Sequence, residues 1–491
     1  PLSIAMFLVK QSKGLALQAA LSMARVRTIE GKMTSAAMVT TGPSLHGKST
    51  LTIMIELANS KLASLLGLTT DSKEGVYPMN DDIVLLQRLK QPIEANRGGR
   101  KIRITHSIDG TENNFYAVPF GLNRHDDPIT YDVVRGSEES PNHEETLENV
   151  LVNIEESTPD FSQNPVRNMR MILSRSRLVA KKRARHLIEQ ITEGQLSDSV
   201  HVPMENVDRI FWQSVMRQNT VVPPLRRLVM EQYIRVLRYG EAVQMGAAIG
   251  VIGRPYVEYF SDPFIIGLED ENANNLHNIL KKMEEGGLNQ EYFVFNTGGV
   301  GADTNDQASG ELYKKIPREL TLMLQEALLR DAVKFEREPQ LGSDIAVAIV
   351  DALGNEVINL REDWLPTNIY GADDYARRIT ELSRRRFYGM NEEDKAGILR
   401  YTKVVNELYD LSDIPIPENE RELTWLLSFF WNVDQAYNNI ADLDAHKEEG
   451  IAPSEDIKQK LQAMYRSASS NGIILPREAI SSLESLGLTA S

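Results

Sequence analysis

The sequence contains no cysteine. Disulfides, thiolate nucleophiles, zinc fingers and iron–sulfur clusters are therefore excluded, and so is a crosslinked extracellular scaffold. No apolar run approaches the ~18 residues that span a bilayer. The opening stretch 2–9 is apolar but short and has no basic leader, so it reads as a strand. Positive charge is scarce: 69 acidic against 54 basic residues give a net charge of -15. Bulk repulsion then opposes general binding to nucleic acid but leaves room for a local phosphate pocket. No membrane partner is expected, and the expected compartment is the cytoplasm. What is present is a chain of 491 residues, 42% hydrophobic and 25% charged. That is roughly three domains' worth of chain, enough to bury a full core.

Residues 1–165 alternate short apolar runs with loops. Segments 4–9, 36–40, 83–86, 102–105 and 116–120 read as strands, the texture of a mixed α/β fold. Residues 166–250 look helix-rich: 167–187 holds eight Lys and Arg and no acid, and 229–246 has helical spacing. Residues 251–389 return to alternation, with a helix at 274–285 and buried strands at 292–295 and 345–350. Beyond 390, segments 391–411, 418–441, 455–467 and 477–486 read as four helices between loops holding Pro415, Pro417, Pro453 and Pro476. This helical C-terminal extension, with Trp425, Phe429, Phe430 and Trp431 at helical spacing, is expected to form its own core or a homo-oligomer contact.

The sharpest motif is Gly42-Pro-Ser44-Leu-His46-Gly47-Lys48-Ser49-Thr50, a full match to G-x-x-x-x-G-K-[ST]. A strand at 36–40 precedes it and a helix over 50–66 is expected to follow. Such a turn points backbone N–H groups at phosphate oxygens, and a helix start adds partial positive charge. Lys48 would reach the β and γ phosphates and Ser49 would ligate Mg²⁺. His46 lies inside the loop and is read as filler. Asp81 and Asp82, just before an apolar run, supply carboxylates on opposite sides of the chain. Asp81 would serve the nucleotide Mg²⁺ and Asp82 a second metal or a substrate. A transferring phosphoryl also needs positive charge; Arg226 and Arg227, stiffened by Pro223 and Pro224, are candidates.

These residues resemble ATP-dependent phosphoenolpyruvate carboxykinase. The P-loop with its following Asp-Asp is similar to that family's kinase motifs, and Leu147-Glu-Asn-Val to its Leu-Glu-Asn-Val segment. Pro223-Pro-Leu-Arg-Arg227-Leu resembles Pro-Pro-Val-Ser-Arg-Leu, whose Arg contacts the γ-phosphate. Val294-Phe-Asn296-Thr297-Gly298 resembles Val-Asn-Thr-Gly, and Lys315-Ile316 with Thr321 mirrors a set that holds the adenine nucleotide. The resemblance runs from residue 36 to about 389. It implies a carboxykinase-type P-loop fold with mixed sheets and ATP-dependent, Mg²⁺-requiring conversion of oxaloacetate to phosphoenolpyruvate, ADP and CO2. It also implies a second divalent metal such as Mn²⁺. On this reading Lys48, Arg227 and Asp82 are catalytic, and Gly42, Ser44, His46, Gly47, Lys48, Ser49, Thr50, Arg227, Lys315, Ile316 and Thr321 bind nucleotide. Ser49, Asp81 and Asp82 hold metal.

The departures concern the other half of the family's site. Only 41 residues precede Gly42, where the family has a domain with its oxaloacetate-binding Arg. The second metal's Lys has Lys10 or Lys13 as counterpart, its His is replaced by Ala24 in Leu21-Ser-Met-Ala24-Arg25, and the adenine-site Arg is Lys315. Either a first domain is absent from this polypeptide or the fold serves another acceptor. The alternatives are a kinase acting on another small molecule or a protein, and a nucleotide-binding interaction protein without catalysis. The basic segment Arg167–Arg185 lacks interleaved aromatics and reads as a solvated helix paired with acids elsewhere. His106, His125 and His143 have no partners at metal spacing. The Gly298–Gly301 stretch with Asp303 and Asp306 is either a second phosphate or metal loop or a flexible hairpin.

Overall fold

The fold is that of a computed structural model. It describes residues 2–43, 46–70, 72–135, 146–163, 169–238, 240–243, 255–258, 269–304 and 307–388, with scattered residues beyond. The chain opens with α1 (Leu2–Gln11), β1 (Leu15–Arg27) and β2 (Met33–Thr41), then α2 (Lys48–Ile53) and α3 (Lys61–Leu65). Next come β3 (Gly75–Asn80), β4 (Ile83–Arg97), β5 (Arg100–Gly110), β6 (Asn114–Ala117) and α4 (Pro128–Arg135). Short strands β7 (Thr146–Glu148), β8 (Leu151–Asn153), β9 (Thr158–Asp160) and β10 (Arg170–Ser174) lead to α5 (Arg175–Lys181) and α6 (Arg185–Ile191). The middle holds β11 (Arg209–Met216), β12 (Leu225–Leu228), α7 (Met230–Arg238), β13 (Gly240–Val243), β14 (Pro255–Glu258) and α8 (Glu269–Glu285). The last stretch holds β15 (Gln290–Asn296), β16 (Gly299–Val300), β17 (Lys314–Lys315), α9 (Arg318–Leu329), β18 (Val333–Glu338), β19 (Ser343–Val350), β20 (Glu356–Asn359), α10 (Arg361–Trp364), α11 (Pro366–Ile369) and α12 (Ala372–Tyr388).

The architecture is mixed α/β, built on an 11-stranded mixed sheet of order β18-β19-β12-β15-β11-β2-β1-β4-β5, with β20 on β19 and β3 on β1. Strands from all three sequence zones, 1–165, 166–250 and 251–389, pair in it. Among the described residues, the parallel pairings are those of β2 with β11 and β11 with β15. Their near-continuous apolar runs suit strands covered on both faces. On one face Ala24, Ala36, Met38, Phe211 and Phe293 pack with Leu51, Leu320 and Leu324 of the helices. On the other, α7 brings Tyr233 against Trp212 and Tyr292. Two compact units divide the chain. The first comprises Pro1–Ile266, Asn275–Glu338 and Ser343–Tyr375 and holds the large sheet. The second comprises Gly267–Asn274, Pro339–Gly342 and Ala376–Ser491. The tail segment 391–411, most of 418–441 including Trp425, Phe429, Phe430 and Trp431, and most of 455–467 and 477–486 lie outside the described residues. Among the described residues no helix is long and apolar enough to cross a membrane.

Several elements differ from expectation. The opening segment is helix α1, not a strand. Its buried residues Met6 and Val9 stand three apart and pack on Ala16, Ile83 and Leu85, while Ile4, Phe7 and Leu8 face solvent; one helical stripe is buried, not an alternating set. The helix expected over 50–66 breaks into α2 and α3. Ser60 caps α3 by accepting from Ala63 N–H at 2.9 Å. The interrupted carbonyls find side chains instead: Ile55 O accepts from Lys182 Nζ and Leu57 O from Arg330. The helix expected over 229–246 ends at Arg238 and gives way to β13, and the strand expected over 116–120 is β6, ending at Ala117 with Phe120 exposed. The described part of the basic segment is β10 plus two short helices, and three of its cations meet acids: Arg175 with Asp198 at 2.5 Å, Lys181 with Asp132 at 3.4 Å, Lys182 with Glu56 at 2.6 Å.

Arg330 joins α9 to this framework. It is fully buried between Glu74 at 2.8 Å and Glu326 at 2.7 Å, and it also donates to Arg27 O and Leu57 O. Removing one member of such a group strands buried charge, at a cost of about 3–5 kcal/mol. Arg330→Met is therefore expected to lower unfolding stability by that amount in urea titrations. A loss below about 1 kcal/mol would show the two carboxyls are not held charged by this guanidinium.

Candidate functional site

The parallel alignment of β2, β11 and β15 sets the site. Ser214 pairs with Thr41 and Met216 with Asn296, so the three strands finish at one sheet edge. In sheets of this kind the loops leaving such strand ends form the binding crevice. Here they are the P-loop turn, residues 217–222 and residues 297–301. Asn296 ties the last two together: its Nδ2 donates to Gln218 O and Val222 O, and its Oδ1 accepts from Gln218 N and Gly298 N. Thr297 Oγ1 donates to His46 O at 2.8 Å, which fastens the third strand's loop to the P-loop.

The motif glycines have a steric role. Gly42 has φ 149°, and a Cβ there would stand 2.7 Å from Val215 O. Gly47 has φ 110° and opens α2. Both conformations favour a residue without a side chain. His46 is buried at 1% exposure, and its backbone N–H donates to Pro43 O. Ser44 lies outside the described residues. Because α2 has only six residues, its dipole is small, and a phosphate here would depend mainly on loop N–H groups and Lys48.

The acid pair comes to this loop. Lys48 Nζ lies 3.3 Å from Asp82 Oδ1, across 34 residues of sequence. Ser49 Oγ donates to Asp81 Oδ1 at 2.9 Å, across 32 residues. Lys48 and Asp81 are both buried, while Asp82 is partly open. Asp81 also accepts from Tyr116 N–H at 2.6 Å. Burial pushes its carboxyl up to about 6, against the pull of Lys48, the Tyr116 N–H and the Ser49 hydroxyl. Asn80 fixes the turn: Nδ2 donates to Ile83 O, and Oδ1 accepts from the N–H groups of Thr111 and Glu112.

That last bond brings in Glu112, which sequence reasoning missed. Burial, then the charges of Asp82 and Asp81, push its carboxyl up to about 7. Its Oε2 is buried without a hydrogen-bond partner. Three carboxyl groups thus share one ammonium group. No local pattern marks a lone acid in the 111–113 loop; only the β5 end meeting Asn80 reveals it. The shortage of positive charge and the orphaned Glu112 oxygen suit a cation here. Among the described residues, however, no group of three or more His, Asp or Glu side chains is arranged to hold a metal. Ser49 and Asp81 form the pair that fits a nucleotide Mg²⁺, which takes few protein ligands and keeps phosphate and water oxygens.

Other candidates fall elsewhere. Arg227 pairs with Asp344 at 2.8 Å and lies over the Phe335 ring at 4.6 Å. It stands opposite Phe293 in β15, roughly 13 Å down the strand from Thr297, so it is not brought to the P-loop. Arg217, one residue past β11, stands at the correct edge; burial lowers its pKa and Tyr313 faces it. Ile316 N–H donates to Gly298 O, and Lys315 pairs with Gly299, so these two adjoin the loop that touches His46. Thr321 is buried in α9 with its hydroxyl turned to Pro317 O. Thr50 is partly buried in the first turn of α2. Ala24 sits in the core opposite Ala36, roughly 17 Å from the edge where Ala19 meets Thr41. In β1, Ala19 N–H donates to Asp82 O, and its neighbour Gln18, paired with Ile83, is buried with an unpartnered Oε1. Lys10 lies in the last turn of α1, and Lys13 follows in the link to β1. The Gly298–Gly301 stretch packs tightly, since a Cβ on Gly299 would strike the Tyr313 ring; Asp306 and His143 lie outside the described residues, and His125 is exposed in a loop.

The raised carboxyls make stability depend on pH. Glu112 titrates at 4.5 when free and at about 7 in the fold. The folded chain therefore holds this proton more tightly, and stability falls as pH rises through that window. Without divalent cations, Glu112→Gln should be close to neutral at pH 4.5 and stabilising by roughly 1–3 kcal/mol at pH 8. Equal effects in melts at both pH values would show that the carboxyl is not ionised at a cost. Compared with protein-family models and with curated proteins, the chain matches none.

Proposed function

We propose that this chain binds ATP at the P-loop edge and transfers its terminal phosphoryl group in a carboxykinase-like reaction. The observation that carries the reading is the double contact of Lys48 with Asp82 and Ser49 with Asp81. It joins a phosphate-cradling loop to metal-binding carboxylates, which a chance motif in a tight turn does not require. Lys48 would neutralise the β and γ phosphates, and Ser49 with Asp81 would hold Mg²⁺ between them. Asp82, partly open and held by Lys48, would face the acceptor or a second divalent ion with Glu112 behind it. Lys315 and Ile316 would frame the nucleotide beside Gly298. The acceptor class we infer is a small carboxylic acid, oxaloacetate in the leading case, and the fold type is that of the carboxykinases.

Arg227's engagement by Asp344 favours a changed role for the phosphoryl-neutralising cation. We assign that role to Arg217, which leaves β11 at the loop edge. The same observation supports a second reading, nucleotide binding without transfer.

ATP with Mg²⁺ should raise the melting temperature, and Lys48→Ala should abolish the shift. Arg227→Ala should leave it intact, whereas Arg217→Ala should weaken ATP about tenfold, the scale of one charge-assisted hydrogen bond. An unchanged shift in Lys48→Ala would overturn the site. Oxaloacetate-dependent release of CO2 and ADP with Mn²⁺ separates the readings: turnover supports the carboxykinase, and a shift without turnover supports binding alone.

A further inference from the structure

A second concentration of charge stands away from the P-loop, and it is positive. Between the pairs Arg88↔His106 and Ile93↔Ile104, β4 has four residues, 89–92, where β5 has one, Thr105. This bulge opens a cavity of about 690 Å³ whose other wall is the end of α8. Arg103 N–H donates to Gly286 O at 2.7 Å, and a Cβ on Gly286 would stand 2.1 Å from Arg103 O, so the wall is held close. Arg88, Lys90, Arg103 and Lys282 line the cavity against a single carboxylate, Glu285. An adjoining cavity of about 220 Å³ shares Arg88, His106 and Lys282 and adds Lys13 and two asparagines, with no acid.

Arg103 is partly satisfied by Glu94 at 3.3 Å. Among the described residues, the side chains of Lys13, Arg88, Lys90 and Lys282 have no ion-pair or hydrogen-bond partner. His106, at 2% exposure, faces Arg88 and Lys282, and burial followed by those charges pushes its pKa down to about 4. It is therefore neutral at pH 7 and adds no charge to the cavity; its ring is engaged by Thr105 Oγ1 at 2.9 Å and by the Lys13 backbone. Converging cations repel one another, and in a chain of net charge -15 there is no shortage of acids to offset them. Arg175, Lys181 and Lys182 of the basic segment meet acids, whereas Lys13, Arg88, Lys90 and Lys282 do not.

We propose that the β4 bulge and the end of α8 form a binding site for a small, multiply charged oxyanion carrying phosphate or carboxylate groups. The volume lies in the range of small-ligand pockets, and Arg88 presents the planar fork that suits both kinds of oxygen. The site lies roughly 20 Å along β4 from Asp82, so it is separate from the P-loop and independent of the nucleotide reading.

The test uses Lys48→Ala as background, so that P-loop binding does not contribute, with divalent cations removed. Pyrophosphate and citrate are titrated separately by calorimetry at low ionic strength. At least one should bind, and affinity should fall with added salt. Pyrophosphate alone identifies phosphate recognition, citrate alone identifies carboxylate recognition, and both together identify charge recognition without choice. Adding Arg88→Ala and Lys282→Ala should weaken binding at least tenfold, the scale of one charge-assisted hydrogen bond. The melting temperature without anion should be unchanged or higher, because repulsion is relieved. If that double variant folds poorly, Lys90→Gln with Lys282→Gln reads the same loss. Binding of neither anion, or binding that survives both pairs of substitutions, overturns the proposal.

Discussion

One ammonium group facing three carboxyl groups is the interaction on which the P-loop edge depends. Lys48 is buried and reaches Asp82, Asp81 is buried behind Ser49, and Glu112 closes the group from below. Water is largely excluded from Asp81, so its charge is costly and protons are retained to unusually high pH. Such an arrangement is poised for added positive charge. On the proposed reading, a divalent ion relieves the carboxylates and the polyphosphate it accompanies takes over Lys48. The same electrostatic imbalance therefore links resting stability to what the edge is suited to hold.

The sheet makes that imbalance sustainable. Three parallel strands end together, and Asn296 and Thr297 join their loops with hydrogen bonds to backbone atoms. Antiparallel β1 and β4 then bring the Asn80–Asp82 turn to the same edge, because Ala19 N–H donates to Asp82 O. On the opposite side of the core, buried Arg330 ties α9, β3 and the broken helix to one another through Glu326, Glu74 and Leu57. The side chains of the candidate site sit on α2 and on the short turns between strands, so strand pairing sets where they meet.

Charge is sorted across the molecule, not blended. The acidic excess gathers carboxylates at the P-loop edge. Arg175, Lys181 and Lys182 of the basic segment pair with Asp198, Asp132 and Glu56, while Arg88, Lys90 and Lys282 at the β4 bulge face a cavity. Net charge alone cannot distinguish these three situations. A cation paired across the fold and a cation facing a cavity look the same in composition.

The residues by themselves marked Gly42 and Gly47, since both take backbone conformations other residues resist. They also determined the strands at 36–40, 83–86, 102–105, 292–295 and 345–350, because buried strands have a local apolar signature. They left α1 ambiguous, because a short apolar run satisfies either period and only packing on Ile83 and Leu85 chose the helix. They suggested one long helix after Thr50, because the Arg330 and Lys182 side chains that relieve its break come from remote sequence. Tertiary structure alone decided that Asp81 and Asp82 meet the loop, that Glu112 joins them and that Arg227 turns to Asp344. The reason is that strand order and register, which no local pattern specifies, fix which side chains share an edge.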